Sequence, residues 1–369
     1  MNQLFRWDQT GLFLLALAAG ILPFAVPEVC AAALREGLTL CSGPLLLSLF
    51  PFLVVSRLLV QCPESDLLAL PFRLAAWGIG IRTPCAARVL CIGFLGGFAP
   101  AASAAAQAVR TGQLTAEEAD ALLPACICSG PSFVVLTVGQ SLLGSAELGV
   151  LLFASQITAN YLTAALLNRF AGVRSVKPGS AAPASPAPPR LDEILADPAI
   201  TYCKLCGFIL FFRMLAAGAG ALLPAGAGTL CSILLEVCSG CDLASRTGRW
   251  GSLLCCAALS VQGLSVLLQV RTICPPEMTL RPLYRARMLH LPLSLALFYL
   301  LLPGGEADVF STLPARVLLM RRVPPDCALL VFAVCCMAAC TLRSGIRQVE
   351  QKQMARNAGG CCINSKTLL

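Results

Sequence analysis

A chain of 369 residues that is 57% hydrophobic and only 12% charged lies well away from soluble domains, where about a quarter of residues are charged. One His and three Trp leave little for acid–base catalysis or a soluble aromatic core, so an enzyme is not expected. The net charge of +8 comes from 27 Lys and Arg spread through the loops, with no compact basic stripe; this excludes a nucleic-acid partner and fits membrane-flanking anchors.

Apolar runs of about 20 residues are long enough to cross a bilayer as helices. They predict an all-α polytopic membrane protein of about eight spans, plus broken or re-entrant helices, in two pseudo-repeated halves. Its expected place is the cell membrane, multi-pass, with the lipid bilayer as main partner. The first span covers about 10–28, within a retained N-terminal helix region at 1–34. A polar turn at Arg35-Glu36-Gly37 leads to a second span at about 38–60, kinked at Ser42-Gly43-Pro44 and Phe50-Pro51-Phe52. Residues 61–83 read as an amphipathic segment in the interface or an ordinary loop. The stretch 84–109, rich in Gly and Ala, fits one span or a re-entrant hairpin. Thr115 and Glu118 form a capping-box pattern that starts the next helix. That helix breaks at Ser129-Gly130-Pro131, resumes to about 143, and is followed by a span at 148–168.

Five prolines between Pro178 and Pro189 mark 171–198 as a flexible or polyproline linker between a first membrane half at 35–170 and a second at 199–305. The second half opens with a span at about 199–223. A broken segment at 227–246 holds Leu235-Glu236-Val237-Cys238-Ser239-Gly240-Cys241-Asp242. Another, at 250–271, holds Gln262-Gly263-Leu264-Ser265, and a span at 288–303 follows. In order along the two halves, Gly96-Gly97-Phe98-Ala99-Pro100 corresponds to the Glu236 segment, and Ser129-Gly130-Pro131 to Gln262-Gly263-Leu264-Ser265. A C-terminal helix at 306–345 and a basic tail at 346–369 complete the chain. The 21 cysteines lie mostly in apolar runs and read as small hydrophobes that let helices approach. The CxxC pairs Cys203/Cys206 and Cys238/Cys241 have no further polar support, so no metal or other cofactor is expected.

Helix-breaking residues at membrane depth are tolerated only where protein or a polar cavity satisfies the freed backbone groups, and paired breaks in two halves point to a binding site. The candidate substrate- or ion-binding residues are therefore Ser129, Gly130, Pro131, Ser132, Gln156, Asn160, Glu236, Ser239, Gly240, Gln262, Gly263 and Ser265. Glu236 is the most informative, because an intramembrane carboxylate is costly unless paired, protonated or hydrated. The competing reading is a helix end near the interface, close to Asp242 and Arg246. Gln262, Ser265 and Gln269 are spaced to share one helical face, as are Gln156 and Asn160. For these amides, interhelical bonding is the alternative to solute contact. His290, beside Arg285 and Arg287 at the start of a span, reads as an interfacial anchor.

Gly112-Gln113-Leu114-Thr115, Glu117-Glu118-Ala119 and Cys128-Ser129-Gly130-Pro131-Ser132-Phe133 resemble the first half of the YlbJ-type sporulation integral membrane proteins. So do Leu235-Glu236-Val237 with Ser239-Gly240, and Gly263-Leu264-Ser265-Val266 with Gln269-Val270, in the second half. The resemblance spans about 35–303 and extends to the wider nucleoside-recognition or Gate group. It implies a role in endospore formation, in cortex assembly or spore maturation, with a channel- or carrier-like fold for a small polar solute and other sporulation membrane proteins as partners. The chain departs from the family pattern at Gly97-Phe98-Ala99-Pro100, which lacks the usual nearby Lys, at Cys126 and Cys128, and at Leu267. A nucleoside-type transporter and a non-transporting membrane scaffold are the alternative functions.

Overall fold

Proline and glycine punctuate the helices. Pro27, Pro44 and Pro84 each open one, at a position where the missing N–H has no helical partner to lose. The computed structural model describes residues 9–61, 66–171 and 191–302. The C-terminal helix at 306–345, the tail at 346–369 and most of the linker lie outside the described residues.

The described chain is all-helical. Its helices are α1 (Gln9–Ala25), α2 (Pro27–Ser42), α3 (Pro44–Gln61), α4 (Leu70–Gly78), α5 (Pro84–Gly96), α6 (Phe98–Arg110) and α7 (Ala116–Cys126), then a π-helical stretch π1 (Ser132–Leu142). They continue with α8 (Ala146–Ala171), α9 (Leu191–Leu222), α10 (Ala225–Leu235), α11 (Val237–Ser245), α12 (Gly251–Val261), α13 (Gly263–Ile273) and α14 (Arg281–Leu301). Among the described residues, four helical stretches are long and apolar enough to cross a membrane: Pro27–Leu47, Ala146–Ala171, Ile194–Leu222 and Gly248–Ile273. Five shorter apolar helices, including Pro84–Gly96, Ser132–Leu142 and Ala225–Leu235, accompany them.

Several expected boundaries move, each for a local reason. No turn forms at 35–37, because Glu36 accepts from Arg213 of α9 at 2.6 Å and Gly37 packs against Leu210. The polar pair is absorbed into the contact of α2 with α9, and α2 runs through it. The last residues of the expected linker, 191–198, already belong to α9, where Asp197 pairs with Arg57 of α3 at 2.8 Å. Residues 84–110 take the hairpin form, with α5 packed on α6 about Gly97. The Glu236 segment is a second hairpin, in which α10 returns as α11 and Gly240 lies against Ile233.

By contrast, α12 and α13 belong to one interrupted rod, Gly248–Ile273. The stretches α7 and π1 likewise scarcely touch each other, and both pack on α8. The long helices α8 and α14 pack on each other, and α14 also packs on α7 and α12.

The polar end of α7 ties the fold together. Thr115 and Glu118 make the expected capping box, and the Thr83 hydroxyl donates to Glu118 at 2.6 Å. Asp120 accepts from the Thr279 amide at 2.8 Å, the Thr279 hydroxyl at 2.6 Å and the Leu280 amide at 3.1 Å, fixing the loop that starts α14. Removing a buried acceptor of this kind costs the desolvation of its donors, about 1–3 kcal/mol. Asp120→Ala is therefore expected to lower the thermal unfolding midpoint in detergent. An unchanged midpoint would mean that this loop does not anchor α14.

Candidate functional site

The site is assembled from four interruptions in the helices. At the first hairpin tip, Gly97 has φ 81° and ψ −163°, and a Cβ there would lie 2.7 Å from the Gly130 amide nitrogen and 3.2 Å from the Cys128 carbonyl oxygen. The hairpin tip thus presses backbone to backbone on the break between α7 and π1. The second hairpin tip, at Leu235 and Glu236, is met by Gly263 of the α12–α13 rod, which has φ 68° and whose Cβ would lie 3.0 Å from the Glu236 nitrogen and the Leu235 carbonyl oxygen. Only a glycine admits both the left-handed backbone and that approach. Between these two contacts, the Gln262 amide donates to the Ser129 hydroxyl at 3.4 Å. The breaks at 97, 128–130, 262–263 and 235–236 therefore adjoin in one line.

A cavity of about 60 Å³ opens beside this line, enough for a few water molecules. Its polar lining comes from Ser129, Ser132, Glu236 and Gln269; Gly96, Gly130 and apolar side chains from α3, α5, α6, π1, α9, α11 and α13 make the rest. Among the described residues, no Lys, Arg or His lines it.

Glu236 is 2% exposed and caps α11. Its Oε1 accepts from the Cys238 amide at 2.8 Å and its Oε2 from the Ser239 amide at 2.7 Å. Charge-assisted bonds of this kind at a helix N-terminus, where the macrodipole contributes about half a positive charge, hold a carboxylate at low cost. The acid is a helix-end residue, as one sequence reading had it, but the helix end lies against the cavity rather than at an outer surface.

The other candidates separate into groups. Ser129, Gly130, Ser132 and Glu236 line the cavity, and Pro131 directly precedes π1. Ser239 contributes its backbone amide, Gly240 the close packing of the hairpin, and Gly263 the contact with Glu236. Gln262, Ser265 and Gln269 do not share one helical face. Gln262 is left-handed at φ 65°, so it precedes α13 and turns back to donate to the Leu259 carbonyl at 2.6 Å. Ser265 accepts from Gln269 at 2.8 Å, while the Oε1 atoms of Gln262 and Gln269 are buried without a hydrogen-bond partner.

Gln156 and Asn160 lie outside the cavity lining, in a second buried polar cluster. Gln156 donates to Ser260 at 3.0 Å and to the Cys256 carbonyl at 3.3 Å. Asn160 donates to the Ile127 carbonyl at 3.2 Å. They bond helices together, as the interhelical reading of these amides had it.

His290 is not an interfacial anchor. It is buried, with Nε2 3.2 Å from the Gln156 carbonyl, and Arg287 and Ser294 are buried on the same helix. The reason is the packing of α14 on α8, which covers this stripe. A signal for it exists in the spacing: Leu283, Arg287, His290, Ser294 and Phe298 recur every three or four residues. Among the described residues, no group of three or more His, Cys, Asp or Glu is placed to hold a metal ion.

No protein-family model matches this sequence, and no curated protein or solved structure matches it.

Proposed function

We propose that this chain is a multi-pass membrane protein that moves a small polar solute through a gate built from broken helices, and that it serves endospore formation. The observation that carries the transport reading is the shared cavity, to which Ser129 and Gly130 come from one interrupted rod and Glu236 from the opposite hairpin. A purely structural kink does not call for a capped carboxylate facing a void, nor for a buried amide oxygen left without a partner at Gln269. Among the described residues that line the cavity, one carboxylate and no basic side chain favour a neutral or cationic solute over a nucleotide.

The succession of hairpin, interrupted rod and long helix at 84–171 and again at 225–301 supports the reading of two copies of one unit. On that reading, the short apolar helices complete about eight crossings. The sporulation role rests on the resemblance of the motifs at 112–133 and 235–270.

Two experiments test the pair of claims. Purified protein in liposomes is expected to take up an uncharged solute saturably, with nucleosides as the first probes. A complete absence of uptake across small polar solutes would favour a scaffold. Deletion of the gene is expected to abolish heat-resistant spores, and normal spores would reject the developmental role.

A further inference from the structure

Arg287 is 7% exposed on α14 and takes no part in the ion pairs among the described residues. Its Nη2 donates to the Ile127 carbonyl at 2.6 Å and reaches Asn160 Oδ1 at 3.4 Å, and its Nη1 donates to the Ser260 carbonyl at 3.3 Å. Ile127 is the C-cap of α7, and Ser260 lies in the last turn of α12, two residues before left-handed Gln262. Each helix C-terminus carries about half a negative charge, so the two ends sum to about one. One guanidinium offsets both, and its planar fork reaches the two carbonyls from two separate nitrogens, a span that the single nitrogen of a lysine ammonium does not have. This accounts for a buried cation without a carboxylate.

We propose that Arg287 is the positioning residue that holds the two interrupted rods in register beside the cavity, so that the ends of α7 and α12 open together. If one end withdraws, its carbonyl loses the guanidinium donor and its pole loses the half charge that offset it. The weak contact between Ser129 and Gln262 alone does not enforce such coupling. The inference rests on the carrier reading, in which the rods move against each other, but its main test needs no solute.

The test is hydrogen exchange of the full chain in lipid nanodiscs, read by mass spectrometry. R287Q is expected to speed exchange at least about tenfold in both 128–134 and 261–267, the effect of losing a charge-assisted hydrogen bond at each. R287K is expected to keep the shorter bond to Ile127 and lose the longer one to Ser260, so only 261–267 accelerates; this variant decides the matter even if R287Q does not fold. Acceleration spread equally through α5, α6 and α9 would mark general loosening and overturn the proposal. So would R287K exchange at 261–267 equal to that of the unaltered chain.

In uptake, R287K is expected to lower the maximal rate while leaving the half-saturating concentration within about twofold, the mark of a group that does not touch solute. A wild-type chain without uptake would overturn the carrier reading, yet the exchange result would still stand.

Discussion

Gly97→Ala is expected to be among the most damaging single-methyl additions to this molecule. At φ 81° and ψ −163° the backbone occupies a region that is essentially restricted to glycine, and a side chain there costs about 1–3 kcal/mol. The new Cβ would also sit 2.7 Å from the Gly130 nitrogen and 3.0 Å from its Cα. Both are backbone atoms of the neighbouring rod, so relief requires moving the rod rather than rotating a side chain. Overpacking of this kind costs about 1–3 kcal/mol more. The total, about 2–6 kcal/mol, is a large part of the stability of an ordinary domain. Gly207→Ala is the matched control, because a Cβ at that position in α9 meets nothing within 4 Å. Thermal unfolding in detergent should show a large loss for Gly97→Ala and no loss for Gly207→Ala. Equal midpoints would mean that the hairpin tip does not press on the α7–π1 break.

Glu236 carries the second large expectation, and two substitutions separate its roles. Glu236→Gln leaves one carbonyl oxygen for two backbone donors and turns an NH₂ towards the other, so a buried N–H loses its partner at a cost of about 1–3 kcal/mol. Asp is as good an N-cap as any residue, so Glu236→Asp should keep most of the stability while drawing the carboxylate back from the cavity. Uptake in liposomes is then expected to fall at least about tenfold in both variants, a loss of about 1.4 kcal/mol in transition-state terms, although only Gln lowers the unfolding midpoint clearly. If Glu236→Asp transports normally, the reach of the carboxylate into the cavity is irrelevant. If Glu236→Gln is as stable as the unaltered chain, the capping role is wrong as well.

Much of the centre was legible in the sequence because its signals are local. Ser129-Gly130-Pro131 cannot continue a helix, Glu236 is conspicuous in an apolar run, and Thr115 with Glu118 spells a cap; the structure has a break, a capped helix and a capping box at those places. The pairing of breaks by order along the chain also anticipated which residues would be interruptions, although order alone does not say what they touch.

What was not legible depends on helices meeting at a distance. Arg287 and His290 follow a basic stretch at the start of a span, where anchors are the usual occupants, and only the packing of α14 on α8, α7 and α12 buries them. Gln262 was placed on a helical face because three-and-four spacing presupposes an unbroken helix, and its left-handed backbone removes that premise. The π-helical pitch of Ser132–Leu142 has no compositional signature, since β-branched and small residues there suit several helical forms. The polar pair Arg35-Glu36 looked like a turn because its partner, Arg213, is far away in sequence.

The central claim is that two hairpin tips and two interrupted rods meet in one place, with the Glu236 carboxylate and the Ser129 break facing a common cavity. A cryo-electron microscopy map of the full chain in lipid nanodiscs tests it most directly. The account predicts density for Gly97 against Gly130 and Gly263 against Glu236, with the carboxylate bonded to the Cys238 and Ser239 amides. Continuous helices through 128–130 and 235–237, with Glu236 and Ser129 on separate outer faces, would contradict it.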